Sequence, residues 1–402
     1  MSGARVKVKS EPQTVTAARC ADYGFATVQE SLRELLDPLG GMQAFVRPGE
    51  RIALKPNVLA PSGPERAIVT HPVVVAAVAV AVKEAGAHPV VVESPGVGVI
   101  HAKPVIERSF RRVGYVEMAK KYGFELSFDT AWENVSAPEA VLAKRMEVMK
   151  PIIEADGVIN LPKFKTHMFM IFTGAIKNLF GVIPGLNKAS YHARLEDPHS
   201  FADMLLDVAY YVKPRLNIVD AVLGMEGDGP GTGGTPREIG ALLAGADSVS
   251  VDVACCRVAG IPALDVPVLV AARERDLWSG HIADVDTVGV PVAELHVKDF
   301  ARPGSYEGMG VGRLGFIEEP ARRMLRRFNR WPLPKRDRCT LCKSCERGCP
   351  VKAITMDTSA KVAKVDYSLC IRCYCCHEVC PEAAIDLEYT RVGKMMHWMR
   401  LI

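Results

Sequence analysis

Two copies of one cysteine pattern constrain this chain more than any other feature of its sequence. The first reads Cys339-x-x-Cys342-x-x-Cys345-x-x-x-Cys349-Pro350, and the second reads Cys370-x-x-Cys373-x-x-Cys376-x-x-x-Cys380-Pro381. Ala353 and Ile354 recur as Ala384 and Ile385 at the same offset, so a small structural unit is duplicated within the chain.

Three thiolates at two-residue separations wrap one face of an iron-sulfur cube, because a tight loop turns each sulfur inward. The fourth must come from elsewhere, and in this spacing the cysteine before proline serves the other cluster. The expected sets are therefore Cys339, Cys342, Cys345 and Cys380 for one four-iron cluster, and Cys370, Cys373, Cys376 and Cys349 for the second. Over roughly its last sixty residues the chain resembles the bacterial two-cluster ferredoxins. That resemblance implies two 4Fe-4S clusters and one-electron transfer. A structural zinc site uses four ligands in total, commonly two Cys-x-x-Cys pairs, whereas each copy here offers a triplet and a remote cysteine. An exported disulfide scaffold would need a signal sequence, and Met1 to Val8 is mixed charged and polar. Cys375 departs from the pattern; a shift onto it breaks the spacing, so it is expected to be a thiol near the cluster and not a ligand.

The 402 residues leave room for a large core ahead of this unit. A formal charge of +4 is small for that length and gives no reason to expect a nucleic-acid partner. The longest apolar run, Val73 to Val82, falls well short of the roughly twenty residues a membrane span needs. A cytoplasmic protein is expected, in a compartment that keeps thiols reduced.

Before the cysteines the chain alternates. Helical spacing at Val28, Leu32, Leu35 and Leu36 leads to a strand at Ile52 to Leu54, a Thr70-capped apolar helix to Ala85, and a strand at Val90 to Val92. A helix from Pro104 to Tyr122 and strands near Phe124 to Phe128 and Val158 to Leu161 follow. Then come a helix at Asp203 to Val212, extended runs at Leu216 to Val219 and Ile239 to Leu243, and a helix at Ser248 to Val258; short strands are read at Val266 to Val270 and Val288 to Val290. This predicts an α/β fold, with a large, mostly parallel N-terminal α/β domain and a small C-terminal α+β ferredoxin-like domain. The expected divisions are 1–319 for the α/β domain, 320–334 for a basic amphipathic helix and proline linker, 335–390 for the cluster domain, and 391–402 for a tail.

In an open α/β sheet, ligands bind beyond the carboxyl ends of the strands. Lys55-Pro56-Asn57 and Leu161-Pro162-Lys163-Phe164-Lys165-Thr166-His167 fall at such ends. Lys55, Asn57, Lys163 and Lys165 are the candidate substrate-binding residues, an anion site to which Lys177 can add, and His167 is the candidate acid or base. The run Gly227 to Gly234 formally contains Gly-x-Gly-x-x-Gly but leads into a strand, so it is no dinucleotide fingerprint; a flexible loop closing over a ligand is expected instead.

Lys55-Pro56-Asn57, Leu161 to His167 with Gly174 to Gly185, Asp220 before the glycine run, and Ala246 to Asp252 together resemble the family called domain of unknown function 362, over about residues 45–300. Ser248 stands where that family commonly has proline, which alters a turn only. The resemblance implies an architecture and no reaction. The reading is an oxidoreductase whose two 4Fe-4S clusters exchange electrons with a small anionic substrate at the α/β domain, served by a redox partner protein. The rival is a noncatalytic electron carrier or maturation factor that docks a partner protein.

Overall fold

The computed structural model describes residues 13–96, 100–185, 187–305, 330–390 and 393–395. With strands numbered in chain order, β2 (Arg51–Pro56) pairs in parallel with β3 (His88–Val91) on one side and β7 (Gly157–Leu161) on the other. β4 (Glu125–Leu126) lies parallel beyond β3, and β7 runs parallel to the start of β10 (Leu216–Gly227). From β10 the sheet continues antiparallel through β11 (Gly234–Gly245) and β1 (Gln13–Arg19), with β12 (Val285–Gly289) parallel to β1 at the edge. β8 (Lys163–His167) pairs with the middle of β10 and with β9 (Ile171–Thr173). β5 (Trp132–Ser136) and β6 (Arg145–Met149) form a separate antiparallel pair.

The central strands are apolar on both faces because helices cover both. Ile52, Leu54 and Val91 meet Val28, Leu32 and Leu35 of the helix Phe25–Leu36 and Val75 and Val78 of the helix Pro72–Glu84. Ala53, Val219 and Leu243 point the other way, toward Phe201, Leu205, Val251 and Cys255 of the helices Pro198–Val212 and Ser248–Ala259. Alternate residues of one strand thus feed two cores, as the period of two requires.

Several local expectations change. His71, not Thr70, caps the helix Pro72–Glu84, its Nδ1 accepting from Val73 N at 3.2 Å; the Thr70 hydroxyl instead donates to the Leu161 carbonyl. The single helix expected to Tyr122 is two, Lys103–Val113 and Tyr115–Tyr122, because Gly114 takes a left-handed φ of 100°. The strand expected at Val266 is the helix Pro267–Glu274, started by proline in its first turn, with Val268, Leu269, Ala271 and Ala272 buried at helical spacing.

In the cysteine-rich part, β13 (Trp331–Pro334) pairs antiparallel with β16 (Ile385–Glu388), and β14 (Ile354–Asp357) with β15 (Val362–Val365). The basic helix expected at 320–331 lies outside the described residues as far as 329, as does most of the tail 391–402. Its expected proline end is a strand of the cysteine-rich unit, since prolines are tolerated on a sheet edge where no donor is required of them. Among the described residues no helix is long and apolar enough to cross a membrane.

Candidate functional site at the sheet edge and its seam with the cysteine-rich unit

The polar strand ends do converge, but they are sealed. Lys55 Nζ donates to Glu93 Oε2 at 2.6 Å and to the Pro56 carbonyl at 2.7 Å. Lys163 Nζ donates to Asp220 Oδ2 at 2.7 Å and to the Tyr23 hydroxyl at 2.9 Å. Lys188 Nζ is satisfied by Ser94 and the Pro95 carbonyl. Taking an ammonium out of water costs several kcal/mol unless a charge and hydrogen bonds replace the water, which explains a carboxylate at Glu93 and at Asp220. The open anion focus expected from Lys55, Lys163 and Lys165 is therefore corrected: all three are buried, and two are already neutralised.

Lys165 differs from them. Its Nζ donates to Asn57 Oδ1 at 2.7 Å and to the Ile68 carbonyl at 2.9 Å, both neutral. Burial, reinforced by the nearby Lys177 ammonium, brings its pKa down to about 7. Asn57 is fixed by a chain of buried amides, donating to Asn178 Oδ1, as Asn178 does to Asn160 Oδ1 and Asn160 to Asn217 Oδ1. The short helix Ala175–Asn178 that carries Lys177 is held by Asp252, whose carboxylate accepts from Ala175 N and Ile176 N. Gly174 precedes it because a Cβ there would overlap the Asp252 carboxylate. Five lysines, Lys55, Lys163, Lys165, Lys177 and Lys188, thus stand against four carboxylates, Glu93, Asp220, Asp252 and Glu378, among the described residues.

The cysteines sort across the two copies. Cys339, Cys342, Cys345 and Cys380 line one cavity, walled by Met356, Ala363 and Ile385. Burial pushes the Cys345 thiol up to about 12, and Cys380, Cys342 and Cys339 push it the same way. Burial also raises Cys349, whose interacting thiol is Cys373 of the other copy. The sulfurs of Cys349 and Cys380 accept from Ala353 N at 3.1 Å and Ala384 N at 3.2 Å, so the duplicated alanines mark duplicated N–H donors. Left-handed residues recur at matching places: Leu341, Lys343 and Lys352 in the first copy, Arg372, Tyr374 and Ala383 in the second. Such residues turn successive N–H groups into one concavity, which suits an anionic group. An all-thiol donor set with apolar walls and inward N–H groups fits a four-iron cluster.

The two copies face different surroundings. Cys342 is exposed, whereas Cys375 and Cys376 are buried, Cys375 and Val379 packing on Ala189 of the α/β unit. Cys375 lies outside the cavity lined by the first set.

The glycine run is a fixed clasp and not the flexible lid expected from composition. It joins β10 to β11 and lies directly on the cysteine-rich unit: Thr232 Oγ1 donates to the Cys380 carbonyl at 2.9 Å, and His377 Nε2 lies 3.2 Å from the Asp228 carbonyl. A Cβ on Gly231 would collide with the Glu378 carbonyl, and one on Gly233 with the His377 ring. Close backbone approach is why these positions are glycine.

Across this seam Glu378 enters the lysine network. Its Oε1 lies 3.4 Å from His167 Nε2, and Lys177 and Lys165 are nearby cations that oppose the upward shift burial imposes on the carboxyl. His167 Nδ1 accepts from Phe169 N and Met170 N, while burial and Lys177 hold its pKa well below the ordinary histidine value. The ring is neutral with its proton on Nε2, facing Glu378. Glu378 Oε1, His167 Nε2, Thr166 Oγ1 and Thr173 Oγ1 are buried without a hydrogen-bond partner among the described residues.

Sequence reasoning selected Lys55, Asn57, Lys163, Lys165 and His167, and the structure brings all five to this edge. It did not select Lys188, Asn160 or Glu378 as members of the network. A lone acid after a valine-rich strand was the available signal for Glu93. Glu378 sits inside the cysteine motif, where nothing local distinguishes it.

Comparison with known proteins divides the chain in the same way. The family described as a domain of unknown function (DUF362) matches residues 52–257, and a 4Fe-4S dicluster domain matches residues 338–384. The thylakoid-associated protein sll1697 of Synechocystis is 36% identical over 264 residues, 65% of this chain and 79% of that protein. Indolepyruvate oxidoreductase subunit IorA of Thermococcus kodakarensis is 30% identical over 213 residues, which is 50% of this chain but only 29% of that subunit. Among solved structures, the lactate racemase apoprotein of Thermoanaerobacterium thermosaccharolyticum aligns with a TM-score of 0.39 at 11% identity, over 63% of this chain and 57% of that one.

Proposed function

Because this chain belongs to the DUF362 family and ends in a 4Fe-4S dicluster domain, we propose that it exchanges electrons between two clusters and a small anionic substrate at the edge of its sheet. Cys339, Cys342, Cys345 and Cys380 hold the first cluster, and Cys370, Cys373, Cys376 and Cys349 the second. Each cluster supplies one electron at a time. Lys165 and Lys177 attract the anion, the Nε2 proton of His167 orients it, and Lys55, Lys163 and Asn57 build the frame around them.

One observation carries this reading: the buried Lys165 ammonium is held only by neutral oxygens, Asn57 Oδ1 and the Ile68 carbonyl. Uncompensated buried charge is costly, so an anion is favoured there. The unpartnered polar atoms of His167 and Glu378, which face each other, favour a polar ligand. The exposed side of the first set, at Cys342, is where a redox partner protein would meet the chain. The partial likeness to an oxidoreductase subunit is in keeping with a redox role.

Dithionite-reduced protein, prepared without oxygen, is mixed with pools of anionic metabolites while cluster absorbance is followed. Reoxidation by one pool, lost in Lys165→Met at unchanged iron content, is the expected result. Reoxidation by protein fractions alone would return the chain to the class of electron carriers.

A further inference from the structure

The two cysteine copies match in their ligands but differ at a place beside them. Ser344 stands one residue before the third cysteine of the first triplet, and Cys375 stands at the same place in the second. Ser344 Oγ lies 3.4 Å from Cys342 Sγ and 3.4 Å from Arg347 Nη2. Cys375 is fully buried and packs on Cys373, the counterpart of Cys342. The counterpart of Arg347 is Glu378, two residues before the cysteine that precedes proline. The second loop therefore has a thiol where the first has a hydroxyl, and an acid where the first has a cation.

We propose that Ser344 is a positioning residue whose hydroxyl donates to the Cys342 sulfur and raises the reduction potential of the first cluster, while Cys375 fills the same place on the second as a weaker donor. A ligating cysteine is a thiolate and can only accept, so the hydroxyl hydrogen is the one available between these two atoms. The Ser344 oxygen has lone pairs left to accept from Arg347, which polarises its O–H toward the sulfur. Reduction adds one negative charge to a four-iron cluster. A donor on a ligand sulfur holds that charge, so hydrogen bonds to the sulfurs favour the reduced form. A thiol S–H is a weak donor by comparison. The first cluster is then reduced before the second, at the end where Cys342 is exposed.

The inference rests on the two-cluster reading, and the test separates the two. The full-length holoprotein, Ser344→Ala, Ser344→Cys and Cys375→Ser are titrated potentiometrically, with electron paramagnetic resonance reporting each cluster and iron content measured in parallel. The expected result is unchanged iron, with one of two potentials in Ser344→Ala lowered by about fivefold in the reduction equilibrium, about 41 mV for a one-electron couple. Ser344→Cys falls between Ser344→Ala and the unaltered protein, and Cys375→Ser raises the other potential alone. If Ser344→Ala loses iron, Ser344→Cys carries the same comparison. The role assigned to this position is wrong if the Ser344 variants move neither potential or both equally, or if Cys375→Ser leaves the second potential where it was. A single potential with half the expected iron in the unaltered protein would overturn the two-cluster reading; the response of that potential to Ser344→Ala would still decide the role of Ser344.

Discussion

His167 Nε2 stands 3.4 Å from Glu378 Oε1, so a side chain of the sheet edge faces one of the cysteine-rich unit. Because His167 Nδ1 is occupied by two backbone N–H groups, the ring can only offer a proton across the seam and cannot accept one there while neutral. The histidine singled out as an acid or base thus faces a carboxylate from the other unit, flanked by Lys165 and Lys177.

The proposed anion binding should depend on pH through Lys165, whose pKa is lowered to about 7. The ammonium is charged below that value, so affinity is full there and falls roughly tenfold per unit as pH rises above it. Lys165→Met should weaken binding by about tenfold or more at pH 6 and flatten the profile. Stability runs in the opposite sense. The unfolded chain keeps this proton up to about 10.5, so the cost of burying the charge is present below about 7 and is relieved as pH rises between the two values. Binding measured from pH 5.5 to 9 on both proteins checks the first claim, and melting temperature over the same range checks the second.

Among the described residues Asp220 is the sole carboxylate on the buried Lys163 ammonium, and it also accepts from Tyr23 and from His71 N. Asp220→Asn keeps the shape and removes the charge, so about 3–5 kcal/mol of stability should be lost. Restoring most of it by adding Lys163→Met would show that the unpaired lysine is the cause. Urea unfolding of the three proteins measures both effects.

Crossed ligation predicts that Cys349→Ala damages chiefly the cluster whose triplet is Cys370, Cys373 and Cys376. Cys375→Ser should leave iron content near that of the unaltered chain. Iron analysis with electron paramagnetic resonance reads both, and selective loss of the other cluster in Cys349→Ala would contradict the assignment.

Gly231→Ala should loosen the clasp, since its Cβ meets the Glu378 carbonyl. The expected outcome is faster proteolysis between the two units with cluster absorbance retained. Ala substitution at Gly49, where nothing lies within 4 Å but φ is +84°, should leave that rate unchanged and cost only local stability, about 1 kcal/mol.

Spacing along the chain determined the duplicated cysteine unit, because three ligands on one face of a small rigid cluster lie close in sequence, and it determined the strand-helix alternation, because a strand buried on two faces demands a near-continuous apolar run such as Val90 to Val92. It also marked Lys55, Asn57, Lys163, Lys165 and His167, since charged residues directly after apolar strands stand out. Only tertiary structure decided what those lysines do. Glu93 lies thirty-eight residues from Lys55 and Asp220 fifty-seven from Lys163, and no local pattern couples positions so far apart. Glu378 reaches the network only because the glycine turn between β10 and β11 carries no side chain that would hold the cysteine-rich unit away. Pairing of buried charge depends on which backbones approach in space, and that is settled by packing after the local elements have formed.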